Sequence, residues 1–207
     1  MYRLQLIETL RMEGGHIERL SYHETRYQQA MGYFFPDMRD RRLIDILSSR
    51  GLKESNPAYE WPGVWKVHID YDANTADVKA DVYHPKRVES LRLVECNDID
   101  YSYKYADRSK LSCCLGMRNG CDDVIIVKDG LLTDTSYSNI ALYDGKTWFT
   151  PRCPLLKGTM RAYLLDKGML KEEDIRPQDL SAFIRVSLIN AMLPLGKLTV
   201  EISSIIR

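Results

Sequence analysis

The sequence predicts a mixed α/β (α+β) protein built as two domains, and three observations carry that expectation. Strand-like alternation and helical periodicity both recur along the chain. A polar, proline-containing stretch, HPKRVES at 84–90, separates two strand-like runs and marks a candidate linker. The 207 residues, 44% of them hydrophobic, suffice to bury one large core or two small ones. The boundary is expected to leave a small domain at 1–86 and a larger one at 87–207.

In YRLQLIETLRMEGGHIERL, Leu4 and Leu6 alternate with Arg3 and Gln5, Gly14-Gly15 turns the chain, and Ile17 resumes the apolar pattern, which predicts a β-hairpin. Ser21-Tyr22-His23-Glu24 has the spacing of a capping box, so a helix is expected from about Tyr22 to Phe35, stopped by Pro36. A second helix is expected over Asp37 to Arg50, with Leu43, Ile44, Ile46 and Leu47 on one face and Gly51 just beyond its end. GVWKVHIDYD and ADVKADVYH, joined through Ala-Asn-Thr, predict a second hairpin. In the later half LRLVEC is strand-like, residues 104–118 have helical character ending at Asn119-Gly120, and DVIIVKDG is a buried strand entering an Asp-Gly turn. NIALYDGKTWFTP is a hairpin about Asp144-Gly145, and Thr159 to Lys167 is a helix followed by Gly168. PQDLSAFIRVSLINAMLPLGKLTVEISS is expected to close the chain as a short helix and further strands.

Charge narrows the function classes. Lysine plus arginine equals aspartate plus glutamate at 29 each, with no run of like charges, which argues against a nucleic-acid or membrane-surface protein. The five cysteines are odd in number and lack metal-ligand spacing, and the first residues carry no signal-peptide pattern, so no metal site and a reduced cytoplasm are expected. No apolar stretch approaches bilayer length. The chemistry concentrates in DGLLTDTSYSNIALYDGKTWFTPRCPLLKGTMRAYLLDKG, where an acidic, serine-rich loop stands close to a helix that opens on Lys157-Gly158-Thr159-Met160. Backbone amides at a helix start favour an anionic ligand.

Five stretches, in order, resemble the class IV aminotransferases, the pyridoxal-phosphate enzymes of fold type IV: ETLRMEGGHIERLSYHETRYQQA, KYADR, DGLLTDTSYSN, TPRCPLLKGTMR and VSLINAMLP. Together they span nearly the whole chain. The resemblance implies a small N-terminal α/β sandwich, here truncated, a larger C-terminal α/β barrel-like domain, pyridoxal 5'-phosphate as cofactor, a small-molecule amino-group substrate, and a homodimer.

It also implies roles for particular residues. Lys104 of KYADR stands where the family's lysine holds the cofactor aldehyde, with Lys110 and Lys157 as rivals. Such an amine must lose its proton readily, which desolvation or neighbouring positive charge promotes. LLKGTMR resembles the phosphate loop, in which Gly158, Thr159 and Met160 would offer amides and Thr159 a hydroxyl; the family often has threonine where Met160 stands. Arg26 matches the arginine that reaches the phosphate, a task suited to a two-oxygen clamp, whereas His23 receives no role. Asp134 aligns with the glutamate beside the pyridine nitrogen, one methylene shorter. Ser136, Ser138 and Asn139 match the family's polar loop, with Asn139 expected to fix its geometry by side-chain bonds to backbone. Asn190 and Ala191 of INAMLP match positions whose amides lie near the phosphate or the substrate carboxylate.

KYADR and INAMLP match the aminodeoxychorismate lyase of the family most closely, which implies elimination of pyruvate to leave 4-aminobenzoate. A branched-chain type transaminase is the first alternative. A degenerate homologue that binds the cofactor without turnover is the second. The short turn at 73–75 replaces a loop that carries carboxylate-binding residues in the D-amino acid enzymes, and so counts against that specificity.

Overall fold

A computed structural model describes residues 4–52 and 62–207; Arg3, part of the first expected alternation, lies outside the described residues. Two compact units divide the chain: residues up to 85 with 103–107, and residues 86–102 with 108–207. The chain thus leaves the first unit, returns for a short stretch, and leaves again.

In the first unit, strands β1 (Leu6–Glu13), β2 (His16–Ile17), β3 (Val64–Tyr71) and β4 (Ala76–Val82) form an antiparallel sheet in the order β2-β1-β3-β4. Alternation in β1 turns Leu6, Leu10 and Met12 inward, in register with Tyr71, Val67 and Trp65 of β3. Helices α1 (Leu20–Phe34) and α2 (Leu43–Ser49) complete the core with Tyr27, Met31, Leu43 and Leu47.

Three local expectations are corrected here. Helix α1 starts at Leu20 after Arg19, which has a left-handed φ of 54°, and no side chain caps it; Ser21 already lies inside the helix. Glu24 instead accepts hydrogen bonds from the amides of Leu43 (3.1 Å) and Ile44 (3.2 Å), so it caps α2. The second helix is shorter than expected, because Pro36–Met38 makes only a 3₁₀ turn. The following residues are held by Gln28 Nε2 on the Arg41 carbonyl (2.8 Å) and Arg41 Nη1 on the Asp72 carbonyl (3.1 Å). Lys104 does not begin a helix. The Ile7 amide donates to the Lys104 carbonyl and the Ala106 amide to the Gln5 carbonyl, both at 2.9 Å, which draws 103–107 into extended pairing beside β1.

In the second unit, β5 (Leu91–Glu95), β6 (Asp123–Lys128), β7 (Leu131–Thr135), β8 (Asn139–Tyr143), β9 (Trp148–Pro151), β10 (Lys171–Glu173), β11 (Arg185–Ile189), β12 (Thr199–Glu201) and β13 (Ile205–Ile206) form one mixed sheet. Its path runs β10-β9-β8-β7-β6-β5-β13, and β11 pairs with both β8 and β12. Strand β6 is buried from Asp123 to Val127, as its unbroken apolar run requires. Helix α3 spans Ser109–Gly116, and α4 spans Thr159–Asp166, where it packs Met160 and Leu164 on Ala141 and Ile189.

Candidate functional site

In the second unit a tight turn connects β7 to β8: the Thr135 amide donates to the Ser138 carbonyl (2.8 Å) and the Ser138 amide to Thr135 Oγ1 (3.0 Å). This turn sets Asp134 opposite Asn139. Asn139 Nδ2 donates to Asp134 Oδ1 and to the Leu156 carbonyl, both at 2.8 Å, while Asp134 Oδ2 accepts from the Leu156 amide at 2.9 Å. Carboxylate and amide therefore fix the segment that leads into α4.

Gly158, at the N-cap of α4, has an ordinary extended conformation with φ −70° and ψ 148°. Its lack of a side chain matters for another reason: a Cβ there would collide with Asn139 Oδ1. The glycine makes room for the amide that holds Asp134. Thr159 and Met160 follow in the first turn of α4, both buried. The Met160 thioether packs into an apolar cluster with Ala141, Leu164, Leu170 and Ile189.

Asp134 is the electrostatic centre of this group. Burial lifts its carboxyl to about 7, against the lowering effects of Asn139, the backbone at 155–156 and the charge of Arg161. Arg161 acts through the field alone, since its Nη2 donates to the Pro151 carbonyl (2.8 Å) and to Glu172 Oε1 (2.6 Å).

Asn190 joins the same polar loop from another strand end. Its Nδ2 donates to Ser138 Oγ (2.8 Å), and its Oδ1 accepts from the amides of Met192 and Leu193 (2.8 and 3.0 Å). The Asn190 amide donates to the Leu193 carbonyl at 3.2 Å, so this backbone donor is used within its own turn. Ala191 is buried beside it. Ser136 accepts through its carbonyl from Arg108 Nη2 at 2.7 Å.

In the first unit, Lys104 is half-buried on the stretch paired with β1. Arg26, on α1, donates through Nε and Nη2 to the two oxygens of Glu8 (2.8 and 2.6 Å). His68 of β3 lies 3.3 Å from Thr9 Oγ1 through Nδ1 and 3.4 Å from Asp70 Oδ2 through Nε2. Its pKa is lowered by partial burial and by the charges of Lys66 and Lys104, against the pull of Asp70.

Sequence reasoning singled out neither Glu8 nor His68 nor Arg161. The signal for Glu8 was present in principle: it occupies the inward phase of β1 between Leu6 and Leu10, where an acid must be paired. No local pattern marks the other two.

The description Amino-transferase class IV matches residues 115–199. A crystal structure of a candidate 4-amino-4-deoxychorismate lyase from Haemophilus somnus 129pt is 32% identical, with a TM-score of 0.83, covering 94% of this chain and 100% of that one. The chain belongs to the class IV aminotransferase family. An uncharacterized protein of Haemophilus influenzae is 34% identical over 187 residues, 90% of this chain and 97% of that one. The chain has a fold type IV structure, with a small antiparallel sheet and a larger mixed sheet. The PLP-bound form of a hypothetical aminotransferase from Mycobacterium tuberculosis, 18% identical, aligns over 97% of this chain and 81% of that one with a TM-score of 0.74. Among the described residues no helix is long and apolar enough to cross a membrane.

Proposed function

We propose that the protein is a pyridoxal-phosphate enzyme that catalyses an aminodeoxychorismate lyase-type elimination, releasing pyruvate and leaving 4-aminobenzoate. The observation that carries this reading is Asp134. Its carboxyl is buried, its hydrogen-bond partners Asn139 and the backbone at 155–156 are neutral, and burial holds it near neutrality. A buried acid in that state is suited to a cationic partner, and a protonated pyridine nitrogen is one.

When bound, pyridoxal phosphate supplies an electron sink for the pair left at the substrate α-carbon. Lys104 is assigned to hold the cofactor through Nζ and then to take and return the substrate proton as general base and acid. Asp134 holds or releases a proton at its carboxylate across the neutral range. The amides of Gly158, Thr159 and Met160 at the start of α4, and the guanidinium of Arg26, are assigned to the phosphate. Ser138, Asn139, Asn190 and Ala191 keep the polar loop and the neighbouring turn in place. The 32% identity to the Haemophilus somnus protein supports the lyase over a transaminase.

The test is an absorption spectrum of purified protein incubated with pyridoxal phosphate, followed by borohydride reduction and peptide mass mapping. A visible band with the reduced label on Lys104 is expected, followed by formation of 4-aminobenzoate and pyruvate from aminodeoxychorismate. A label on Lys110 or Lys157, or no band, would sink the assignment of Lys104. Accumulation of the pyridoxamine form with amino acid alone, without 4-aminobenzoate, would replace the lyase by a transaminase.

A further inference from the structure

Two residues beside the polar loop stand where local chemistry disfavours them. Arg108 occupies the N-cap of α3 and makes no capping bond, although a cation at the start of a helix meets the positive end of its dipole. Asp123 opens β6 ahead of the apolar run Val124–Val127 and is 1% exposed, so its carboxyl has lost its hydration. Neither placement serves its own element.

The two side chains meet at Ser136, buried in the turn between β7 and β8. Arg108 Nη2 donates to the Ser136 carbonyl at 2.7 Å. Asp123 Oδ1 accepts from the Ser136 amide at 3.4 Å and from the Val124 amide at 2.8 Å. These contacts fall on the two peptide planes that flank the Ser136 Cα, so together they restrain both of its soft dihedrals. The guanidinium bond is short and charge-assisted, and is the stronger of the pair. The Asp123 oxygen accepts whether or not the other oxygen carries a proton, so its hold does not depend on the charge of the acid. Within the turn, the amides of Tyr137 and Ser138 donate to Thr135 Oγ1 at 3.3 and 3.0 Å. Those inner bonds give the turn its shape, whereas Arg108 and Asp123 tie it to α3 and β6.

We infer that Arg108, with Asp123, is a positioning residue that clamps Ser136 and so holds the Asp134 carboxyl against Asn139, in the place that answers to the pyridine nitrogen. This rests on the functional reading above, in which Asp134 partners that nitrogen. Asp134 lies two residues before Ser136 and pairs with Asn139 across the same turn, so a displaced turn displaces the carboxyl. A group that partners a ring atom has to be held within about 0.5 Å of its working place, and a turn pinned only by its own bonds can move as one body. Every member of this arrangement belongs to the second unit.

The experiment compares pyridoxal phosphate with its 1-deaza analogue, in which a C–H group replaces the ring nitrogen, by titrating the absorption change each gives with the full-length protein. The wild type is expected to prefer pyridoxal phosphate by about tenfold or more, the scale of a charge-assisted hydrogen bond. Arg108→Ala is expected to lose most of that preference, by weakening pyridoxal phosphate and leaving the analogue nearly unchanged. Added to Asp134→Asn, it should cause no further loss of preference. Arg108→Lys, which keeps a cationic donor without the planar fork, gives a smaller loss of the same kind and serves where Arg108→Ala does not fold. Asp123→Ala should also reduce the preference, and Asp123→Asn, which retains Oδ1, should restore it. Equal weakening of both ligands by the alanine variants, weakening of neither, or full additivity with Asp134→Asn would overturn the inference while leaving the function intact. A wild type that binds the two ligands equally, or binds neither, would overturn the role of Asp134 and this inference together.

Discussion

At Asp134 the protein keeps a carboxyl whose pKa is raised from 3.8 to about 7 by burial. A raised pKa means that the folded state favours the protonated acid over the anion. The stabilising contribution is complete below the unfolded value, near pH 4, and fades as pH rises toward 7. Cofactor-free wild type should therefore lose stability relative to Asp134→Asn over that window, by a few kcal/mol at most, in urea unfolding followed at pH 4 to 8. A difference between the two proteins that does not change with pH would show that Asp134 titrates normally. The candidate residues of this loop were legible in the sequence because they sit close together in chain order, in TDTSYSN and LLKGTMR. The geometry was not legible. Gly158 answers to Asn139, and Asn190 answers to Ser138 across long intervals of chain. Glu8 went unnoticed for a related reason: it stands in the inward phase of its strand, but the residues that pair it, His23 and Arg26, lie on α1 and are brought to it only by packing.

Helix α2 shows how a local motif can be right in composition and assigned to the wrong element. Ser21 and Glu24 have the spacing of a reciprocal cap, but the cap of α1 carries no side-chain bond, and Glu24 reaches two amides of α2. A helix as short as Leu43–Ser49 gains little from its own hydrogen bonds. It is held by Leu43, Ile46 and Leu47 in the core and by Glu24 at its start, where a carboxylate also meets the positive end of the helix dipole. Replacing Glu24 by Ala is expected to cost about 1 kcal/mol of stability, as loss of a capping side chain does. Ser21→Ala, inside α1, should change stability by a few tenths at most. Urea midpoints of the two variants decide the matter, and equal losses would restore the reading taken from sequence spacing. Helices and strands as types were readable from periodicity, while the partner of a capping group is a tertiary fact.

For the molecule as a whole, the decisive segment is 103–107, which no periodicity announces. It is too short and too polar for a strand pattern, and the run into α3 gave it helical character. Its place comes from two backbone bonds to β1 and from aromatic packing: the ring of Tyr103 lies 4.7 Å from Phe34 edge-on and 5.0 Å from Tyr33 in a stacked pair, measured between centroids. Lys104 thus owes its position to its aromatic neighbours on both sides, Tyr103 and Tyr105. Each unit has its own apolar core, the first centred on Leu6, Leu10, Met31 and Leu47, the second on Ile125, Ile140, Leu142 and Leu188. Truncation of Tyr103 to alanine removes these two aromatic pairs and the edge-on pair with Tyr105 at 6.2 Å, each worth about 0.5–1.5 kcal/mol beyond buried area, from an anchor that belongs to the first unit alone. Local opening of that anchor should then speed amide hydrogen exchange at Ile7 and Ala106 by about tenfold or more, because both amides donate across the pairing it secures. Amides of Val124 to Val127 in β6, inside the second core, should exchange at the wild-type rate. Equal acceleration in β6 would mean that the two units open together, and the positioning of Lys104 would then be a property of the whole fold instead of its aromatic anchor.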